Sequence, residues 1–330
     1  NLIYWEFVKL TGNNFKNICV HLRLLNKRTR MKLSTDFTLS KFIDTEKLAA
    51  YYELTKPGIT FSVLASMLVG FLLASGNNID YLLMFHAAVG TYLIAAGTSA
   101  HNQFLEWRLD GKMKRTQKRP VPSNKISPTE SSTFSISFIV LGLIYLLLVV
   151  NFVAGLVSLA TTLLYLGAYT PMKRVSVANV FIGAIPGALP PVGGWAAAAG
   201  HLGSLDMWLL FGIVFFWQIP HVMAIAWVCK DDYQNAGFVM LPKNDERGNK
   251  AVALILGCLI VLLPVCWGLF ASGMSGWIYL SGALLGSLVF LYYGVHFAVA
   301  RSKETAKQLM FASFGYLPLV WIFIFIDLLF

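Results

Sequence analysis

The chain is 330 residues long, 57% hydrophobic and only 13% charged, with a mean hydropathy of +0.64, whereas a soluble domain carries roughly 25% charged residues. That composition excludes an ordinary water-soluble enzyme and places most of the length in lipid. A net charge of +10 is compatible with nucleic-acid binding, but the cations gather in short loops on one side of the apolar runs, so the charge marks a membrane side and nucleic acid is not expected as a partner.

In chain order, residues 1–30 come first and are basic, with Lys9, Lys16, Arg23, Lys27, Arg28 and Arg30 against the single acid Glu6. They read either as a targeting presequence or, the reading favoured here, as translated sequence ahead of a start at Met31. Residues 1–50 are accordingly expected to form a basic extension outside the catalytic fold, and 51–330 a transmembrane domain. About nine apolar runs follow, near 57–75, 81–101, 134–151, 153–170, 177–199, 206–228, 250–272, 275–298 and 308–329, each long enough for a bilayer core. Helices are expected rather than a barrel, because stretches such as 141–150 and 254–263 are apolar all round and do not alternate. The fold class is therefore an all-α polytopic membrane bundle.

Arg108, Lys112, Lys114, Arg115, Lys118, Arg119 and Lys125 lie between the second and third runs. Lys173, Arg174, Lys230, Lys243, Arg247, Arg301 and Lys303 lie in later loops of the same side. The opposite loops, 76–80 and 200–206, hold no Lys or Arg. The positive-inside rule then puts the basic loops and the N-terminus on the cytoplasmic face of a bacterial cytoplasmic membrane, or alternatively on the matrix face of a mitochondrial inner membrane, with the C-terminus outside. Of the four cysteines, Cys19, Cys229, Cys258 and Cys266, none has the spacing of a metal site, and all are read as packing residues.

The chemistry gathers after the second run. Asn102, Glu106 and Asp110 are spaced four apart, so a helix stacks their oxygens on one face, which suits a hard divalent ion carrying a diphosphate. Lys112, Arg115 and Arg119 follow, able to neutralise phosphate oxygens. The competing reading is a solvated helix end in which the acids merely pair with neighbouring bases. A second acidic patch, Asp231 and Asp232, follows the sixth run on the same side, and two such patches four spans apart suggest a duplicated bundle converging on one cavity.

The pattern Asn102, Glu106, Asp110, Arg115, Thr116, Arg119, Pro120 resembles the aspartate-rich motif of the UbiA prenyltransferase superfamily. YTPMKR at 169–174, GAIPGALPPVGGW at 183–195, FWQIPH at 216–221 and DYQNAGFVMLP at 232–242 resemble its haem O synthase branch. The likeness runs from about Glu53 to the C-terminus. The superfamily's second motif usually carries two acids four apart, whereas Asp231 is followed at that spacing by Asn235. The resemblance implies magnesium, or manganese in its place, held by Asn102, Glu106 and Asp110 with Asp231 or Asp232 opposite. It implies diphosphate on Lys112, Arg115, Arg119, Lys173 and Arg174, with Tyr169 also in the substrate site. Farnesyl diphosphate and protoheme are the implied substrates, and a haem A synthase a possible partner. A quinone precursor or a chlorophyllide is the alternative acceptor, and a secondary transporter the reading from another class.

The fifth run holds Gly183, Pro186, Gly187, Pro190, Pro191, Gly193 and Gly194. So many breakers predict a bent, irregular segment walling a substrate chamber, the alternative being close helix packing through Gly183 and Gly187. Gly282 and Gly286 read as packing. His221, following Pro220 inside an apolar run, is costly there and is expected to serve the porphyrin, whereas His86, His201 and His296 are left as structural or interfacial.

Overall fold

A computed structural model describes residues 44–329, so the readings placed on 1–30, Met31 and Cys19 lie outside the described residues. By contacts the chain divides into Asn1–Leu48 and Ala49–Phe330. Among the described residues, nine helices are long and apolar enough to cross a membrane, and none of the structure is strand. After α1 (Thr45–Leu54) the spans are α2 (Pro57–Ser75), α3 (Tyr81–Asp110), α4 (Pro128–Val150), α5 (Phe152–Met172), α6 (Asn179–Ala199), α7 (Leu205–Val228), α9 (Asn249–Ala271), α10 (Trp277–Ala300) and α11 (Lys303–Asp327). A short α8 (Lys230–Ala236) follows α7.

Local sequence sets the ends. Asp80 accepts from the Leu83 amide and starts α3, Ser127 forms a capping box with Glu130 ahead of α4, and Ser302 with Thr305 does the same for α11. Each of these side chains satisfies amides that the first helical turn leaves open. Asn151 begins α5 by accepting from Ala154, and its amide donates to the carbonyls of Ala196 and Ala197 at the end of α6. One side chain thus closes two helix termini. The helix α3 outruns its apolar segment by two turns and more. At 1.5 Å per residue that carries Asn102, Glu106 and Asp110 to the basic end of the bundle.

The span richest in Gly and Pro corrects an expectation. Instead of an irregular segment, α6 is one continuous helix through Pro186, Pro190 and Pro191. It is also the most buried of the nine spans, packed against α2, α5 and α7. Its small residues explain how it gets there. A side chain on Gly194 would collide with the carbonyl of Met67 in α2, and one on Gly70 would collide with the carbonyl of Pro191, so two backbones meet directly. Gly183 and Gly187 instead make room for the Tyr169 ring and the Gln218 amide. Neighbouring helices supply the hydrogen bonding and packing that keep a proline-rich helix intact in lipid. Irregularity lies elsewhere, in two wide π-helical turns at Leu146–Val150 and Leu164–Tyr169. Gly282 and Gly286 face Phe323, Leu319 and Tyr316 of α11, as packing requires, and Cys229, Cys258 and Cys266 are buried free thiols.

Candidate active site

The three oxygens stacked along the end of α3 are buried: Asn102 is 2% exposed, Glu106 7% and Asp110 1%. Each meets a cationic nitrogen from a different element. Lys56 Nζ donates to Asn102 Oδ1 at 3.0 Å, Lys173 Nζ to Glu106 Oε1 at 2.8 Å, and Arg119 Nη1 to Asp110 Oδ2 at 2.7 Å. The solvated helix end considered above would leave these groups in water. Here they are withdrawn from it, where an unpaired charge is costly and a paired one is held firmly.

Three local structures build the cluster. Lys56 occupies a left-handed conformation, φ 48° and ψ 62°, immediately before Pro57 at the start of α2. The following proline disfavours the ordinary helical region for this residue. On α5 the wide turn at Leu164–Tyr169 lets Thr170 Oγ1 reach back to the Tyr165 carbonyl at 2.8 Å, and the same hydroxyl accepts from Asn102 Nδ2 at 3.2 Å. One turn on, Lys173 lies over the Tyr169 ring, 4.4 Å from its centroid. The loop after α3 folds back through Thr116, whose hydroxyl donates to the Asp110 carbonyl at 2.8 Å, and this aims Arg119 at the carboxylate. Burial disfavours the Lys173 ammonium, but Tyr169, Glu106 and Tyr165 around it outweigh that cost and raise its pKa.

The second patch approaches without joining. Asp231 is exposed and Asp232 half-buried on α8. Among the described residues no three of His, Cys, Asp and Glu gather as a cation site. The two patches are bridged by Arg115, whose Nη2 donates to the Tyr233 hydroxyl at 3.3 Å and whose guanidinium lies 5.4 Å from that ring's centroid. Met113 packs with Ala226, Ala236, Phe238 and Met240 beside this contact. The Val239 amide donates to the Lys173 carbonyl at 2.6 Å, and Asn179 Nδ2 donates to the Val239 carbonyl at 2.8 Å. The ends of α3, α5 and α7 are thereby stitched together. Lys112 and Arg174 are exposed and stand outside the cluster. Lys56 and Thr170, absent from the sequence-based set, stand inside it. The only signal for Lys56 was a lysine directly ahead of Pro57-Gly58 at the mouth of an apolar run, and Thr170 carried none.

The donor set fits a hard divalent ion. Three side-chain oxygens, two of them carboxylate, follow one another along one face of α3, each with its own basic nitrogen, and oxygens of this kind are what magnesium prefers. The same nitrogens suit a polyanion, because ammonium and guanidinium groups bind phosphate oxygens as readily as carboxylate. Deeper in the membrane, His221 of α7 bonds through Nδ1 to Ser313 Oγ of α11 at 2.7 Å, stacks on Trp217 and meets the edge of Phe314. The imidazole is half-buried, in an aromatic setting separate from the charged cluster.

Residues 63–315 match the model of the UbiA prenyltransferase family. A protoheme IX farnesyltransferase from Solibacter usitatus is 42% identical over 82% of this chain and 96% of its own, and one from Opitutus terrae is 39% identical over 86% and 96%. Among solved structures, a digeranylgeranylglyceryl phosphate synthase superposes with a TM-score of 0.72 at 18% identity, covering 86% of this chain and 99% of that one. A UbiA homologue from Archaeoglobus fulgidus, bound to GPP and Mg2+, gives 0.59 at 15% identity, covering 83% and 99%. At those identities the likeness carries the fold alone.

Proposed function

Because the chain belongs to the UbiA prenyltransferase family, we propose that it transfers the farnesyl group of farnesyl diphosphate to a vinyl group of protoheme, making haem O and releasing diphosphate. The observation that carries this reading is the buried set of three oxygens and three cations at the ends of α2, α3 and α5. The names of the bacterial relatives support the choice of acceptor.

Residues 51–330 form the catalytic domain. Asn102, Glu106 and Asp110 would hold magnesium, or manganese in its place, with Asp231 or Asp232 approaching from α8, and such an ion would supply positive charge to offset that of the leaving diphosphate. Lys173, Arg119, Lys56 and Arg115 bind the diphosphate oxygens, and Lys112 and Arg174, at the rim, attract the incoming anion. Tyr169 holds Lys173 in place through its ring face. As the bond between C1 and the diphosphate oxygen breaks, these cations stabilise the developing negative charge, and allylic cation character grows at C1. The vinyl group supplies the electron pair for the new carbon–carbon bond. Water adds to the resulting cation beside the porphyrin and loses a proton, leaving a hydroxyethylfarnesyl group. Apolar helix faces accept the farnesyl tail and keep bulk water away until then. His221, in its aromatic setting, serves the porphyrin. The protein lies in a bacterial cytoplasmic membrane with its basic loops inside, and its product is a substrate for a haem A synthase.

The test is expression in a host lacking haem O, followed by pigment extraction and mass measurement. Haem O is expected from the wild type, and at least about a hundredfold less from Glu106→Gln and Asp110→Asn, the loss typical of one transition-state electrostatic contact. A prenylated quinone precursor or chlorophyllide in place of haem O would reassign the acceptor. Unimpaired rates in both variants at limiting magnesium would reduce the acids to a structural pair.

A further inference from the structure

His221 and Ser313 come from different helices, α7 and α11, and the second partner of the serine hydroxyl assigns a direction to their bond. The Ser313 hydroxyl has one proton, and it donates that proton to the Met310 carbonyl at 2.5 Å. Its oxygen can therefore only accept from the imidazole, 2.7 Å away. This leaves the proton of His221 on Nδ1 and the lone pair on Nε2, since the hydrogen bond of the imidazole among the described residues is made through Nδ1. Trp217 Nε1 donates to the Ser313 carbonyl at 2.7 Å while its ring stacks on the imidazole, the planes 14° apart and the centroids at 5.2 Å. Phe314 meets the imidazole edge-on, the centroids 4.7 Å apart. With the Ser313 proton on the Met310 carbonyl, the network assigns the tautomer, and the two aromatic contacts hold the ring plane, before any ligand arrives.

A neutral imidazole with its second nitrogen held by a hydrogen bond is the form in which histidine ligates a metal, and the outer partner tunes the strength of that bond. We propose that Ser313 is a positioning residue for the porphyrin acceptor: it holds the His221 proton on Nδ1, so that Nε2 faces the haem iron as a ready ligand. The proposal rests on the reading of His221 as the porphyrin residue. It adds that α11 takes part in acceptor binding although it contributes nothing to the diphosphate cluster. The hydroxyl acts through the imidazole and touches no reacting atom.

The experiment uses the full chain in detergent with two probes, ferric haem followed by its Soret band and farnesyl diphosphate followed by calorimetry. Ser313→Ala should weaken haem binding about tenfold or more, as removal of an outer-shell partner does, Ser313→Thr should restore it, and both should leave farnesyl diphosphate affinity unchanged. The ferrous complex of Ser313→Ala should also show a shifted iron–histidine stretch, which a packing role would not produce. Wild-type haem affinity in Ser313→Ala, alongside loss of haem binding in His221→Ala, would overturn the positioning role alone. Undiminished haem binding in both alanine variants would overturn the porphyrin reading of His221 and the proposal with it. If Ser313→Ala fails to fold, the ring 15N spectrum of the ligand-free wild type decides: a proton on Nδ1 supports the assignment and a proton on Nε2 refutes it.

Discussion

Lys56 shows how much of the site depends on single side chains. Its left-handed backbone costs about 1–3 kcal/mol in general, and it is held there by Pro57 on one side and by Asn102 on the other. Burial, with repulsion from Arg119 and Lys173, lowers its ammonium pKa to about 7, although Asp110 and Glu106 pull the other way. The sign for stability follows. Between about 7 and the ordinary 10.5 the unfolded chain holds a proton that the folded chain has released, so stability rises with pH through that window and the benefit is lost below about 7. Wild type should therefore gain melting temperature relative to Lys56→Met as the ligand-free protein is taken from pH 7 to pH 9. Parallel pH curves for the two proteins would show that Lys56 keeps its proton throughout. That positions 102, 106 and 110 share one helical face could be read from their spacing, which by itself leaves open whether the acids are a site or a solvated helix end. Lys56 could not be read in this way, because its pairing with Asn102 crosses 46 positions and no periodicity reports a contact between helices.

At the scale of elements, α6 carries the clearest lesson. Pro186, Pro190 and Pro191 predict a break when judged by local preference, and tertiary packing overrides that preference. The close crossing with α2 accounts for the glycines. Gly194→Leu should drive a side chain into the Met67 backbone, a clash that cannot be relieved by a rotamer change, and cost at least about 1–3 kcal/mol. Gly167→Leu, with nothing within 4 Å of the added carbon, is the matched control and should stay near wild type. Unfolding in graded SDS compares the two, and equal losses would mean that the crossing is not a tight joint. The wide turns of α4 and α5 were invisible in sequence. Nothing in the apolar stretches 146–150 or 164–169 distinguishes them from ordinary helix, yet the second one places Thr170 against Asn102.

At the scale of the molecule, the nine spans and the grouping of the basic loops were both legible, because lipid demands long apolar runs and leaves cations at one end. Convergence of the two acidic patches was only half legible. Their common end follows from span counting, whereas the Arg115–Tyr233 bridge that connects them needs coordinates. Single cysteines at positions 115, 174 and 235, in a background without native cysteines, should label from the side opposite to those at 75, 201 and 273. The same side for 115 and 201 would overturn the orientation.

The stitching at the basic end bears on chain continuity. Lys173 with Val239, Asn179 with Val239, Arg115 with Tyr233, and Arg301 with the Arg247 carbonyl join loops that are distant in sequence. At the other end, the hydrogen bonds described for the connection at 200–204 are short-range: Gly200 caps its own helix, Gly203 bonds to His201, and Ser204 caps α7. A nick in that connection would therefore remove a tether while leaving every clasp in place. The two fragments would meet at the effective concentration set by a shared bilayer, already matched at the end where the charged cluster lies.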